Sequence, residues 1–358
     1  MAVQVRKGQG SVQLTREEFE RRLRQRFYDP LFQNVDRQVS EIVEVAWKAY
    51  DEYHKSPRTR KAGPGFADPE FELPIEWLDT RDRILQAERE HKDPARQGRV
   101  LLVSGAARHD QTCPGEMPKT FRLATLAREE IERSGLTCDF LDLSLINAEY
   151  GRQILPCKAC VSTAMPLCHW PCSCYPNHAL GQTIDWMNEL YPRWVAAHGV
   201  MILTPVYWYQ APSVLKLMMD RLVCADGGNP DQTSTHGKKP DEAKALELGP
   251  PGWHYPRHLA GRVFSVVVHG DVIGAETLRR SLCDWLTDME LIPATPQAGI
   301  DGYIGYYGAY ATSHEALDAD TGIQREVRAA ARALGAAVTL KRAGQLPRIH
   351  GEPEPRPK

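Results

Sequence analysis

Five of the chain's nine cysteines fall within CKACVSTAMPLCHWPCSC, between Cys157 and Cys174, beside a histidine and a tryptophan. Thiols at that density can ligate a metal or an iron–sulfur cluster, exchange electrons as a dithiol, or pack as small apolar groups. Cys157, Cys160, Cys168 and Cys172, separated by two, seven and three residues, would be the ligands of a cluster. A second constellation follows RVLLV, where Ser104, Arg108, Lys119 and Thr120 put hydroxyls and cations ahead of a helical segment. Free amides at a helix start, its dipole and charge-assisted hydrogen bonds together suit an anion such as phosphate. A third lies in GVMILTPVYWYQ, where Thr204, Pro205, Val206, Tyr207, Trp208 and Tyr209 crowd one turn. Rings gathered there can flank a flat aromatic ligand while the turning backbone serves its polar edge. His236, His254 and His258 are a weaker zinc candidate, because no cysteine stands at a fixed step from them.

These residues need elements to hold them. From Arg99 onward, short apolar runs alternate with amphipathic segments: RVLLVSG, then FRLATLAREEIERSG closed by Gly135, then TCDFLDL and the cysteine loop. The alternation continues through a helix at 182–197, GVMILTP, a helix at 214–223, RVFSVVVHG, a helix at 275–289, a short strand at 291–294 and a helix from His314 to about Lys341. Five strands alternating with helices predict an α/β fold with a doubly wound parallel sheet, whose ligand sits beyond the C-terminal ends of the strands. All three constellations lie in such loops.

Residues 1–95 read as a helical N-terminal extension, opened by the capping box of Thr15 and Glu18 and interrupted by the loop SPRTRKAGPGFADPEFELP. The main domain spans 96–344, with a Gly- and Pro-rich insert at 224–258 that could act as a lid, and the charged tail 345–358 reads as disordered. Lys and Arg number 44 against 46 Asp and Glu, a net charge of −2 that supplies no general attraction to nucleic acid or anionic membrane. No apolar run approaches the ~18 residues of a membrane span, and no leader-like segment opens the chain, so a cytoplasmic protein is expected. In such a reducing compartment a disulfide knot is disfavoured. Neither G-x-G-x-x-G nor a P-loop follows the first strand, and Ser104 and Gly105 stand where a receiver domain needs acids.

With these motifs in place, the chain resembles the NADPH-dependent FMN reductases of the flavodoxin-like superfamily, relatives of the iron–sulfur flavoproteins. The resemblance covers about residues 99–340. It rests on Ser104, Arg108, Lys119 and Thr120, on TPVYW leading to L-K-x-x-x-D-R (Leu215, Lys216, Asp220, Arg221), and on HGDVIGAE after the fourth strand. It implies a flavodoxin-like five-stranded sheet, FMN phosphate on the first loop, the isoalloxazine ring at the TPVYW turn, and His269, Gly270 and Asp271 at the ring's other edge. It also implies NAD(P)H as hydride donor, a quinone, flavin or other small molecule as electron acceptor, and a homodimer or homotetramer. No side chain need act as acid or base, since the cofactor carries the chemistry. Two alternatives stay open: an electron carrier with a cluster at the cysteine loop, and a non-enzymatic assembly module with a vestigial pocket. Thr163 stands where the iron–sulfur flavoproteins place their third cysteine.

Overall fold

The computed structural model describes residues 13–52, 58–160, 164–175, 185–296 and 299–346. The residues before 13, the tail from 347 and Thr163 lie outside the described residues.

Helices α1 (Arg16–Arg24) and α2 (Asp36–Asp51) pair with each other, and Phe19 packs against Trp47 and Tyr50 at ring distances of 5.4 and 4.9 Å. The Thr15 hydroxyl accepts from the Glu18 amide, as the capping box predicts. The stretch read as a loop holds a two-stranded antiparallel hairpin, β1 (Thr59–Lys61) with β2 (Glu72–Pro74). Helix α3 (Ile75–Lys92) follows at once and contributes Ile84 and Ala87 to the main core. The extension is therefore fastened to the body through its third helix.

The main sheet comprises β3 (Arg99–Ser104), β4 (Thr137–Asp142), β5 (Gly199–Pro205), β6 (Val263–Gly270), β7 (Ile292–Pro293) and β8 (Gly299–Tyr303). Every pairing in it is parallel, in the order β4-β3-β5-β6, with β7 and β8 both on the free side of β6. Ile292 pairs with Val263, and Gly299 with Val266, so β7 and β8 are two pieces of one interrupted fifth strand. The fold is α/β, flavodoxin-like and doubly wound. The second piece, GIDGY, was not anticipated from the sequence.

Continuous apolar runs make β3, β5 and β6 central strands buried on both faces. Alternate residues serve opposite cores: Leu101, Val103, Val200, Ile202 and Val266 face one, and Val100, Leu102, Met201, Leu203 and Val267 the other. The first core is covered by α3, α5 (Met187–Ala196), α6 (Ser213–Arg221) and α9 (Ala275–Asp288). The second is covered by α4 (Lys119–Arg133) and α11 (Thr321–Arg342), with α10 (Ser313–Ala319) leading into the latter. Within the insert, α7 (Cys224–Gly227) and α8 (Pro240–Leu248) are helical.

Candidate functional site

The loops leaving β3, β5 and β6 converge on a cavity of about 530 Å³ at the strands' C-terminal ends. Of the flavin-site residues expected from the sequence, all but Ser104 and Thr204 line it. Those two are buried beneath the floor, Ser104 toward Asp142 and Thr204 against Gly105. A Cβ on Gly105 would come within 2.8 Å of Thr204 Oγ1, and one on Gly270 within 2.5 Å of Val206 Cγ1. Glycine at these strand ends lets the three loops close on one another.

One end of the cavity is cationic. Helix α4 begins after Pro118 with no side-chain cap and no acid in its first turn, so its leading amides face the cavity's Lys119 and Thr120 unneutralised. Arg108 donates to the Tyr310 hydroxyl at 2.8 Å and to the Pro114 and Glu116 carbonyls, while its buried Nε has no partner. Lys119 donates to the Ile304 carbonyl at 3.4 Å and lies 5.3 Å from the Tyr310 ring centroid, with the charges of Asp271 and Glu116 nearby. Among the described residues, no carboxylate is in ion-pair contact with either cation. Burial holds the Lys119 pKa below its ordinary value, a cost that a bound anion would relieve.

His269 closes this end without adding charge. Burial, reinforced by the positive charge of Lys119, pushes its pKa down to about 3, so the imidazole is neutral. Its Nε2 lies 2.7 Å from Thr120 Oγ1. The histidine thus pins the hydroxyl rather than serving as a third cation.

The other wall is the aromatic turn. Tyr207 and Gln210 exchange two backbone hydrogen bonds, at 2.9 and 3.0 Å, around Trp208 and Tyr209 with φ of 45° and 67°. Two consecutive left-handed residues make a tight turn in which Asn and Gly are the usual occupants. Here two aromatics occupy it, at a backbone cost of roughly 1–2 kcal/mol each. The Trp208 side chain is 91% exposed and Tyr209 57%, so neither is core. Tyr207 is half-buried, and its hydroxyl accepts from the Ala107 amide, tying the turn to the first loop.

Sequence reasoning missed Tyr310 and Ile304, which enter the cavity from beyond the fifth strand. The aromatic run YIGYYGAY, 303–310, is the signal that could have found them.

Among the described residues, the cysteine loop and the insert contribute no lining residue to this cavity. They pack on each other: Asn229 N donates to Cys168 O at 2.6 Å, Trp170 N to Asn229 O at 3.1 Å, and His169 Nε2 lies 3.1 Å from Thr235 Oγ1. The insert also holds the hairpin loop, with Asp231 accepting from the Ala67 amide at 2.7 Å. The cluster expectation at Cys157, Cys160, Cys168 and Cys172 is not supported: among the described residues, no group of three or more His, Cys, Asp or Glu side chains is arranged to hold a metal ion. The same finding removes support from zinc at His236, His254 and His258, where His236 pairs with Glu242 and His258 with Tyr191 instead. Nor does the motif residue Arg221 reach the cavity; it is buried against Asp185 and the Leu155 carbonyl.

A flavodoxin-like sheet with a cationic end and an aromatic wall at one set of strand ends defines a class of nucleotide-type sites. Residues 99–302 match the family described as NADPH-dependent FMN reductase, and the chain belongs to that family. It is accordingly a flavin-dependent oxidoreductase. Similar solved structures include RosB with bound 8-demethyl-8-formylriboflavin-5'-phosphate, 13% identical at a TM-score of 0.47, covering 69% of this chain and 81% of that one. A flavone reductase is 17% identical at a TM-score of 0.35, over 67% of this chain and 63% of its own. The azoreductase AzrA is 13% identical at a TM-score of 0.39, over 66% of this chain and 99% of its own. No curated protein matches the sequence. Among the described residues, no helix is long and apolar enough to cross a membrane.

Proposed function

We propose that the cavity holds FMN and that the protein uses NAD(P)H to reduce a quinone, a second flavin or another small acceptor. The observation that carries this reading is the cationic end formed by Arg108, Lys119 and the α4 N-terminus, with the aromatic turn in the same cavity. Arg108, Lys119 and the leading α4 amides would bind the phosphate, with the Thr120 hydroxyl set by His269. The Pro205–Tyr209 turn and the His269–Asp271 backbone would orient the ring and keep water from it. FMN held there would supply two-electron redox chemistry between a nicotinamide and the acceptor. No side chain in the cavity is needed as acid or base. Ser104 and Thr204 support the loops from beneath instead of touching the ligand. The exposed Trp208 and Tyr209 rings would meet the acceptor or a second copy of the chain, within a homodimer or homotetramer.

Fluorescence titration of flavin-stripped protein with FMN tests the phosphate assignment apart from turnover. Arg108→Ala and Lys119→Ala should each weaken FMN by the ~1.5–3 kcal/mol of a charge-assisted hydrogen bond, and weaken riboflavin, which lacks the phosphate, far less. Equal losses for FMN and riboflavin, or none for either, would overturn it.

A further inference from the structure

The sulfurs of the cysteine loop meet away from the flavin cavity, around Cys174. Cys160 Sγ lies 3.2 Å from Cys174 Sγ, and the ammonium of Lys238, from the insert, donates to Cys174 Sγ at 2.9 Å. A neutral thiol is a weak acceptor, whereas a thiolate accepts several donors, so a thiol and an ammonium at one sulfur mark Cys174 as the anion of the group. The hydrogen bond with Cys160, with Lys238 adding its charge, holds the Cys174 pKa far below that of a free thiol. Burial pushes Cys168 well up, and the neighbouring Cys174 sulfur together with burial does the same for Cys172. One sulfur in the cluster is therefore the thiolate, while its neighbours keep their protons. Cys174 and Cys160 are both partly open to solvent, and the Lys238 residue is exposed. An ammonium in contact with the sulfur also opposes a cation at that place, in accord with the lack of a metal-holding group among the described residues.

We propose that Cys174 and Cys160 form a hydroperoxide-reactive dithiol, in which Lys238 steadies the attacking Cys174 thiolate and Cys160 resolves the product as a 160–174 disulfide. The Cys174 thiolate attacks one peroxide oxygen; the O–O bond breaks, and the departing alkoxide or hydroxide takes a proton and leaves as alcohol or water. Cys174 is then a sulfenic acid. The Cys160 sulfur attacks it, the S–S bond forms, the S–O bond breaks, and the hydroxyl leaves with the Cys160 proton as water. Two thiols lose two electrons and the hydroperoxide gains them. From 3.2 Å, the sulfurs need to close by about 1.2 Å to reach disulfide length. Disulfide formation also removes the negative partner of Lys238, and with it one of the ties between the insert and the loop.

The test uses the full chain, reduced without oxygen, desalted, and mixed with one equivalent of hydrogen peroxide. Thiol titration should lose two groups, and peptide mapping should join Cys160 to Cys174. In Cys160→Ser, dimedone should trap a sulfenic acid at Cys174 with no disulfide formed. Lys238→Met should slow the reaction roughly tenfold, with Lys238→Arg restoring most of it. A disulfide between any other pair, a rate equal to that of free cysteine, or stoichiometric zinc or iron on the purified protein would overturn the proposal. The wild-type map and metal assay decide even where a variant misfolds.

Discussion

Two regions sit at the same edge of the sheet and have been finished differently. At the ends of β3, β5 and β6, Arg108 and Lys119 meet a hydroxyl and carbonyls but no carboxylate, and two aromatics are held in a left-handed turn facing solvent. Beyond β4, many polar groups are paired: both His169 nitrogens are engaged by Ser173 and Thr235, Asn229 binds Pro166 and Ser234, and Arg221 is paired with Asp185, although the buried Arg221 Nε, Gln232 Nε2 and Trp170 Nε1 have no partner among the described residues. The first region carries two cations that no carboxylate among the described residues contacts; the second uses most of its polar groups to fasten the loop to the insert. The more conspicuous composition belongs to the region that is closed to a flavin.

The largest effect expected across both regions comes from acid, since each contains a buried neutral histidine. Burial is the leading cause that pushes His169 and His269 from the ordinary 6.5 down to about 3, and His91, beneath the sheet, falls likewise. His198 and His258 are lowered to about 4, again by burial first. A lowered histidine pKa means that the unfolded chain binds a proton that the folded chain refuses. Stability is therefore full above about pH 6.5 and is lost as pH falls toward 3–4. The urea midpoint should fall steeply between pH 7 and 4.5, and His169→Asn and His269→Asn should each make the slope shallower by one proton. A flat midpoint over that range would contradict the burial argument for both regions.

The next effect separates them. Arg221 and Asp185 side chains are each 1% exposed, so Arg221→Met leaves a buried carboxylate without a counter-ion and should cost about 3–5 kcal/mol in urea unfolding. Arg221→Met combined with Asp185→Leu should recover most of that loss, because no isolated charge remains. Arg108→Met, at the open end, should cost well under 1 kcal/mol of stability, since no carboxylate is stranded. Equal destabilisation by the two arginine variants would erase the distinction.

The sequence shows the sheet where chemistry and periodicity coincide. RVLLVS, GVMILTP and VFSVVVHG are unbroken apolar runs, and they are the central strands. GIDGY is legible only in place, since glycines and an aspartate disfavour a strand until β6 offers five residues to pair with. The polar hairpin strand TRK is hidden for the same reason. Reading the loops at the strand ends located the cavity and most of its lining, but not Ile304 and Tyr310. Order β4-β3-β5-β6 puts β4 outermost, two strands or about 10 Å from β5, so its cysteine loop shares the edge without reaching the cavity. Ser104 and Thr204 have the right types at the right strand ends, yet their side chains point into the packing beneath. Tyr310 lies some two hundred residues from Arg108, a proximity that no local pattern encodes.

The smallest effect is the sharpest test of what the strained turn is for. At Trp208, φ of 45° is a conformation that glycine adopts freely, and the 91% exposed indole contributes little burial. Trp208→Gly should relieve roughly 1–2 kcal/mol of backbone strain and return part of it as added freedom in the unfolded chain. The net expectation is unchanged stability or a gain of up to about 1 kcal/mol in urea unfolding. If the ring is held there to face a flavin or its acceptor, the same variant should bind FMN more weakly or reduce acceptor more slowly while being no less stable. A loss of stability with binding and turnover intact would make Trp208 a packing residue, and the open region would then be no different in kind from the closed one.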